Sequence, residues 1–211
     1  MPTHPHPFPL FSAIFLAVVL TSCVALSYYP EEPIRNAALR PVLLGFGRYV
    51  TPDQARNPIH PPERFAGYHV GADFEVTNDE LTTDVPVFAI CEGDVAYSGF
   101  AEGYGGLLVQ RCELNAAPIT VLYGHLSLDN LPAKSSSLQA GEQIGMLAPA
   151  RSADSDGNRK HLHLGIRLGN EIDYRGYVQT PDEIENYIDP LNIFPSRPAG
   201  TGGLLKAYWQ R

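Results

Sequence analysis

The clearest pattern along the chain is a strict alternation. In His161-Leu162-His163-Leu164-Gly165-Ile166 an extended backbone puts both histidines on one side and Leu162, Leu164 and Ile166 on the other. That combination suits a strand that packs on a core with its back and offers two imidazoles to a cleft. Short apolar runs recur at Val85 to Cys91, Leu107 to Cys112 and Ile119 to Leu126, the last carrying His125 near its end. Glycines, prolines and polar residues bound each run, which predicts strands. Gly67 to Phe74 reads as strand, turn, strand around Gly71, with His69 and Asp73 on either side of the turn. Asp84 to Val95 predicts two β segments meeting at a glycine corner, with Pro86 near a strand start. Gly103-Tyr104-Gly105-Gly106 predicts a hairpin turn, since neither a helix N-terminus nor a GK[ST] follows to make it a phosphate loop. Leu138 to Gly145 reads as a turn between short strands. Thr180-Pro181-Asp182-Glu183 has the form of a capping box with proline at the first helical position, predicting a short helix from Thr180 to about Ile188. No repeat or long helical period appears. The pattern as a whole predicts an all-β, mainly antiparallel fold with one short C-terminal helix.

The N-terminal run from Leu10 to Leu20 is apolar apart from Ser12. It is too short to span a bilayer and of the right length for the core of a signal peptide. Leu20-Thr21-Ser22-Cys23 then resembles the lipobox of bacterial lipoproteins. That resemblance implies cleavage before Cys23, a lipid anchor on Cys23 and export to the cell envelope or periplasm. Residues 1–22 contain His4 and His6 but no Lys or Arg, where such leaders begin with a basic stretch. A plain signal peptide or an uncleaved anchor is therefore the alternative. Val24, in place of the aspartate that retains many lipoproteins in the inner membrane, favours the outer membrane in a Gram-negative host. Cys91 and Cys112 remain as an even pair in an oxidising compartment and are candidates for a disulfide. Neither belongs to a CxxC pair, so they are poor metal ligands.

Composition narrows the class. With 211 residues, 44% hydrophobic and 18% charged, the chain can bury one core of moderate size. Nineteen glycines and nineteen prolines fit frequent turns. The net charge of -8, with no basic cluster, argues against a nucleic-acid partner and against an anionic lipid surface. The expected organisation is a leader at 1–22, a proline-rich linker at 23–66, a folded domain at 67–195 and a tail at 196–211. Within the linker, Asn57 and His60 could reach back to an open metal position as an inhibitory flap; the alternative is a simple spacer.

His69, Asp73, His125, His161 and His163 all fall at strand ends or edges. With HVGAD, DVPVFAICEGDV, GYGG, VLYGHL, LQAGEQIG and HLHLGI in that order, the stretch from Tyr68 to about Phe194 resembles the lysostaphin-like, LytM-type zinc metallopeptidases of family M23. Those enzymes cut peptide bonds in bacterial peptidoglycan. The resemblance implies a partly open, sandwich- or barrel-like sheet and one Zn²⁺ held by His69, Asp73 and His163. It makes His125 and His161 the unliganded catalytic histidines. Two nitrogens and a carboxylate suit zinc and leave its fourth position open. On this reading His161 takes the proton of the attacking water and His125 hydrogen-bonds the developing oxyanion, although the two roles could be exchanged.

Two departures bear on specificity. A long charged loop, Arg151 to Lys160, replaces the small glycine-rich run that often precedes the histidine pair, and Gly165 stands where the family often has a larger side chain. Alternative functions are a non-catalytic relative that binds or activates other cell-wall hydrolases, and a biotinyl- or lipoyl-type carrier. The carrier would need a lysine-bearing turn between its hairpins, which this chain lacks.

Overall fold

The computed structural model describes Met1 and residues 30–194. The expected leader apart from Met1, Cys23 and the tail at 196–211 lie outside the described residues. The described chain forms β1 (Tyr49–Val50), β2 (Gly67–His69), β3 (Gly71–Glu75), β4 (Pro86–Phe88), β5 (Gly93–Ala101) and β6 (Gly105–Leu114). It continues through β7 (Ala117–Leu126), β8 (Ser137–Leu138), β9 (Gln143–Met146), β10 (His161–Leu168), β11 (Tyr177–Val178) and β12 (Tyr187–Ile188). The fold is all-β, as the alternation predicts.

The main sheet runs in the order β12-β10-β7-β6-β5-β8, antiparallel throughout. One flank of β10 pairs with β7, and the other pairs with β3 at its start and β12 at its end. Leu162, Leu164 and Ile166 of β10 enter the main core with Ala72 and Phe74 of β3 and Val121 and Tyr123 of β7. Opposite them, Leu107, Val109 and Leu122 form a smaller cluster with Tyr104. β10 is therefore buried on both faces through Ile166. Burial of this row is the main force fixing its register, because a one-residue slip would drive the histidines into the core.

Inside the core, polar groups are paired. The Tyr123 hydroxyl donates to Gln110 Oε1 at 3.0 Å and accepts from the Ile90 amide at 2.9 Å, while Gln110 Nε2 donates to the Cys91 carbonyl at 2.8 Å. Beside this network Cys91 and Cys112 form a disulfide, Cα to Cα 6.1 Å, tying the bend after β4 to β6.

Folded structure begins well upstream of Gly67. Ile34 and Ala37 lie in the main core, Leu44 and Val50 are fully buried, and isolated bridges join Ile34 to Val87 and Val42 to Phe74. These apolar residues are scattered among prolines without a strand or helix period, yet each packs in or against the core, Val42 only partly buried. The expected C-terminal helix is shorter and tighter than its sequence implies: a three-ten helix at Pro181–Asn186, opened by the Thr180–Glu183 capping box. It buries no side chain, so nothing supports a longer helix. Tyr187 and Ile188 pair with β10 instead.

Candidate metal centre

Register brings the polar row together. In the β3–β10 pair His163 stands directly opposite Asp73, and His161 opposite Glu75. On the other flank His163 stands opposite Gly124 of β7. His69 ends β2, and the chain turns at Val70 into β3, which carries it back beside Asp73. The close approach requires a bare glycine at Gly71, where a Cβ would lie 2.7 Å from His163 Cε1 and 2.6 Å from the Leu164 carbonyl oxygen.

His125 reaches this row by a different route. Ile119, Val121 and Tyr123 point into the main core, and strict alternation would send His125 after them. Instead His125 has φ of 64°, in the left-handed region. The chain reverses there, Leu126 takes the core side, and the imidazole turns to the cleft with its ring centroid 4.3 Å from that of His161.

Three donor atoms converge. His69 Nε2 is 3.0 Å from His163 Nδ1 and 3.2 Å from Asp73 Oδ1, and His163 Nδ1 is 3.1 Å from Asp73 Oδ1. For metal–ligand bonds of about 2.0–2.1 Å the edge of a coordination tetrahedron is about 3.3–3.4 Å, so this triangle fits one zinc-sized cation with slight expansion. A carbonyl can only accept, so the contact of His69 Nδ1 with the Gly45 carbonyl at 3.2 Å puts that ring's proton on Nδ1 and leaves Nε2 bare. In the same way His125 Nδ1 donates to the Tyr104 carbonyl at 2.8 Å and His161 Nδ1 to the Arg159 carbonyl at 3.0 Å.

The electrostatics match this donor set. Burial pushes the Asp73 carboxyl up, but His161, His69 and hydrogen bonds from the surrounding imidazoles outweigh it and hold the group well below the usual carboxylate range. Burial brings His163 down to about 4, partly opposed by its hydrogen bond to Asp73. Burial, reinforced by His161 and His163, holds His125 well below the usual imidazole range. At neutral pH His163 and His125 are therefore neutral and Asp73 is ionised. For His163 and Asp73 that is the protonation state a metal ligand needs. Among the described residues, His69, Asp73 and His163 are the group of His, Cys, Asp and Glu side chains able to hold a metal ion.

The centre forms the floor of a cleft of about 540 Å³, whose walls include Glu63, Phe65, Tyr104, Tyr174 and Tyr177. His69, Asp73, His125, His161 and His163 all gather here. Asn57 and His60 do not: Asn57 Nδ2 donates to the Thr51 carbonyl, and His60 Nδ1 bonds Gln54 Oε1 at 2.6 Å. Two residues of the site escape sequence reasoning. Tyr104, in the GYGG hairpin, packs its ring 5.2 Å from that of His163, and its hydroxyl is buried without a partner. Burial, aided by Asp73, raises its pKa, so the proton stays on. Arg159 donates from Nη2 to Asp73 Oδ2 at 2.8 Å. Parity was the available signal, since residues 159, 161 and 163 share one face if the strand is extended backwards.

An antiparallel sheet carrying a His/Asp/His centre at the floor of an open cleft defines an all-β protein equipped to bind a metal ion. The profile of peptidase family M23 matches residues 67–174, and the chain belongs to that family. Among solved structures, one from the SpoIIQ–SpoIIIAH pore forming complex shares the fold at a TM-score of 0.51 and 16% identity, covering 86% of this chain and 98% of that one. The catalytic domain of lysostaphin from Staphylococcus simulans aligns at 0.48 and 19% identity, covering 72% of this chain and 90% of that one. Helicobacter pylori Csd3 aligns at 0.49 and 17% identity over 86% of this chain, which spans 40% of the length of Csd3. No curated protein matches the chain at a significant level.

Proposed function

We propose that the protein is a zinc-dependent endopeptidase that hydrolyses peptide bonds in bacterial peptidoglycan. The observation carrying this reading is the triangle of His69 Nε2, Asp73 Oδ1 and His163 Nδ1, 3.0–3.2 Å on a side, with two further histidines beside it in the cleft. One Zn²⁺ held by those atoms would supply a Lewis acid for the scissile carbonyl and make an attacking water more acidic.

The chain's own residues handle the protons. His125 and His161 both spend Nδ1–H on backbone carbonyls, so in the neutral state each offers a bare Nε2, which is a base and not a donor. With ring centroids 4.3 Å apart they resist carrying two charges at once, so the pair holds one proton, taken from water and returned to the leaving amine. His161 Nε2 also sits 3.4 Å from Asp73 Oδ2, which can accept a hydrogen bond from it once the proton has been taken. The oxyanion would then be left to the Lewis acid, since neutral His125 offers no proton and the Tyr104 hydroxyl, although its residue lines the cleft, is itself buried. Export and a lipid anchor at Cys23 complete the proposal, and palmitate labelling lost in Cys23→Ser would support the anchor.

The test is digestion of purified peptidoglycan by the protein and by His163→Ala, with zinc content measured on both. Release of new amino groups by the zinc-loaded protein, lost in the variant along with the metal, is the expected result. Equal release by both would overturn the enzyme reading. Zinc binding without any release would favour the non-catalytic, hydrolase-activating role.

A further inference from the structure

The two oxygens of Asp73 have different surroundings. Oδ1 faces His69 and His163, while Oδ2 accepts from Arg159 Nη2 at 2.8 Å. Arg159 uses its whole fork. Nε and Nη2 reach Glu75 Oε1 at 3.0 and 2.9 Å, and Nη1 reaches Glu63 Oε1 at 3.1 Å. Glu75 lies two residues beyond Asp73 on the same face of β3. Glu63 belongs to the stretch that, with Phe65 and Ala66, forms one wall of the cleft. The guanidinium is thus fixed in its plane by three carboxylates from two separate segments, an arrangement a single ammonium cannot reproduce.

We propose that Arg159 is a positioning residue for the metal centre: it pins Oδ2 of Asp73, so turns Oδ1 toward His69 and His163, and through Glu63 ties that orientation to the cleft wall at residues 63–66. This role rests on the reading of the centre as a zinc site. Released from Arg159, the Asp73 carboxylate is free to rotate, and three carboxylates are left facing one another without a counter-charge. A guanidinium acting only through its charge would have the opposite effect on a cation, since a positive group beside the site repels it. The sign of the change in affinity therefore separates positioning from bulk electrostatics.

The experiment measures zinc dissociation constants by competition with a chromogenic chelator on the full chain, as wild type, Arg159→Gln, Arg159→Lys and Glu63→Gln. Visible spectra of the cobalt-loaded proteins report on ligand arrangement. Positioning predicts zinc affinity about 10–100-fold weaker in Arg159→Gln. It also predicts a loss in Arg159→Lys despite the retained charge, a smaller loss in Glu63→Gln, and altered cobalt bands in both Arg159 variants. Equal or tighter zinc binding by Arg159→Gln, with unaltered cobalt bands, overturns the role while leaving the zinc reading in place. A wild type that takes up no zinc overturns both. If Arg159→Gln does not fold, Arg159→Lys and Glu63→Gln carry the same comparison, and wild-type affinity in both overturns the role.

Discussion

Replacing Tyr104 with phenylalanine should spare or stabilise the fold without slowing turnover. The Tyr104 hydroxyl is buried and makes no hydrogen bond. It fits only because residue 176 is glycine, where a Cβ would stand 2.7 Å from the hydroxyl oxygen. A buried hydroxyl left unpaired costs roughly 1–3 kcal/mol, so removing it should leave the fold unharmed or stabilise it by up to that amount. For a domain of this size each kcal/mol moves Tm by about 2–4 °C, which puts the expected change between zero and about +12 °C. The same oxygen has no surface open to the cleft, so turnover should stay within about threefold of wild type, not fall by the roughly 100- to 1000-fold that loss of an oxyanion donor brings. Zinc content should not change, because the three ligand atoms belong to other residues. Thermal melts, zinc analysis and turnover on a peptidoglycan-derived peptide, run side by side on Tyr104→Phe and wild type, test all three. A fall in kcat of about 100-fold or more would refute the claim that the hydroxyl is closed off from the substrate. A fall in Tm of several degrees would refute the claim that the hydroxyl is unpaired.

Two further outcomes concern the frame around the centre. The Cys91–Cys112 disulfide closes a loop of sequence separation 21, for which loop-closure entropy gives about 3 kcal/mol. The Cys91→Ser, Cys112→Ser double variant should therefore melt about 6–12 °C below wild type, and an unchanged melting temperature would refute the estimate. The second outcome is a pH dependence. The paired hydrogen bonds from buried Arg40, at 2.6 and 2.7 Å, pull the Glu80 carboxyl from its ordinary 4.5 to about 2. Because the folded pKa lies below the unfolded one, the pair's contribution is fully present above about pH 4.5 and is lost as pH falls toward 2. Water reaching Glu80 screens the pair, so about 1 kcal/mol is expected. Melts of wild type and Glu80→Gln should differ at neutral pH and converge near pH 2; a constant gap would refute the linkage.

What could be read in the sequence depended on whether local rules act alone. Alternation in β10 needed only a strand with one face on a core, and it sorted His161 and His163 from Leu162 and Leu164 correctly. The same rule fails at His125, which by parity belongs with Val121 and Tyr123 in the core. There one residue with φ of 64° reverses the sides, and nothing in Tyr123-Gly124-His125-Leu126 marks the reversal. Arg159 shows the converse. Its parity with His161 was legible, but its charge within a polar loop gave no reason to look inward. Only the folded chain reveals that Glu63, Asp73 and Glu75 are waiting for it, since they come from segments separated from it by 84 to 96 residues. The segment upstream of Gly67 was hidden for a related reason. Gly45 contributes a backbone carbonyl, which no side-chain pattern records, yet that carbonyl sets the tautomer of His69. In this protein the candidate ligands can be recognised from the ordered motifs that the chain shares with its family. The groups that aim them cannot, because each acts through a backbone oxygen, a reversed dihedral or a charge brought in from far along the chain.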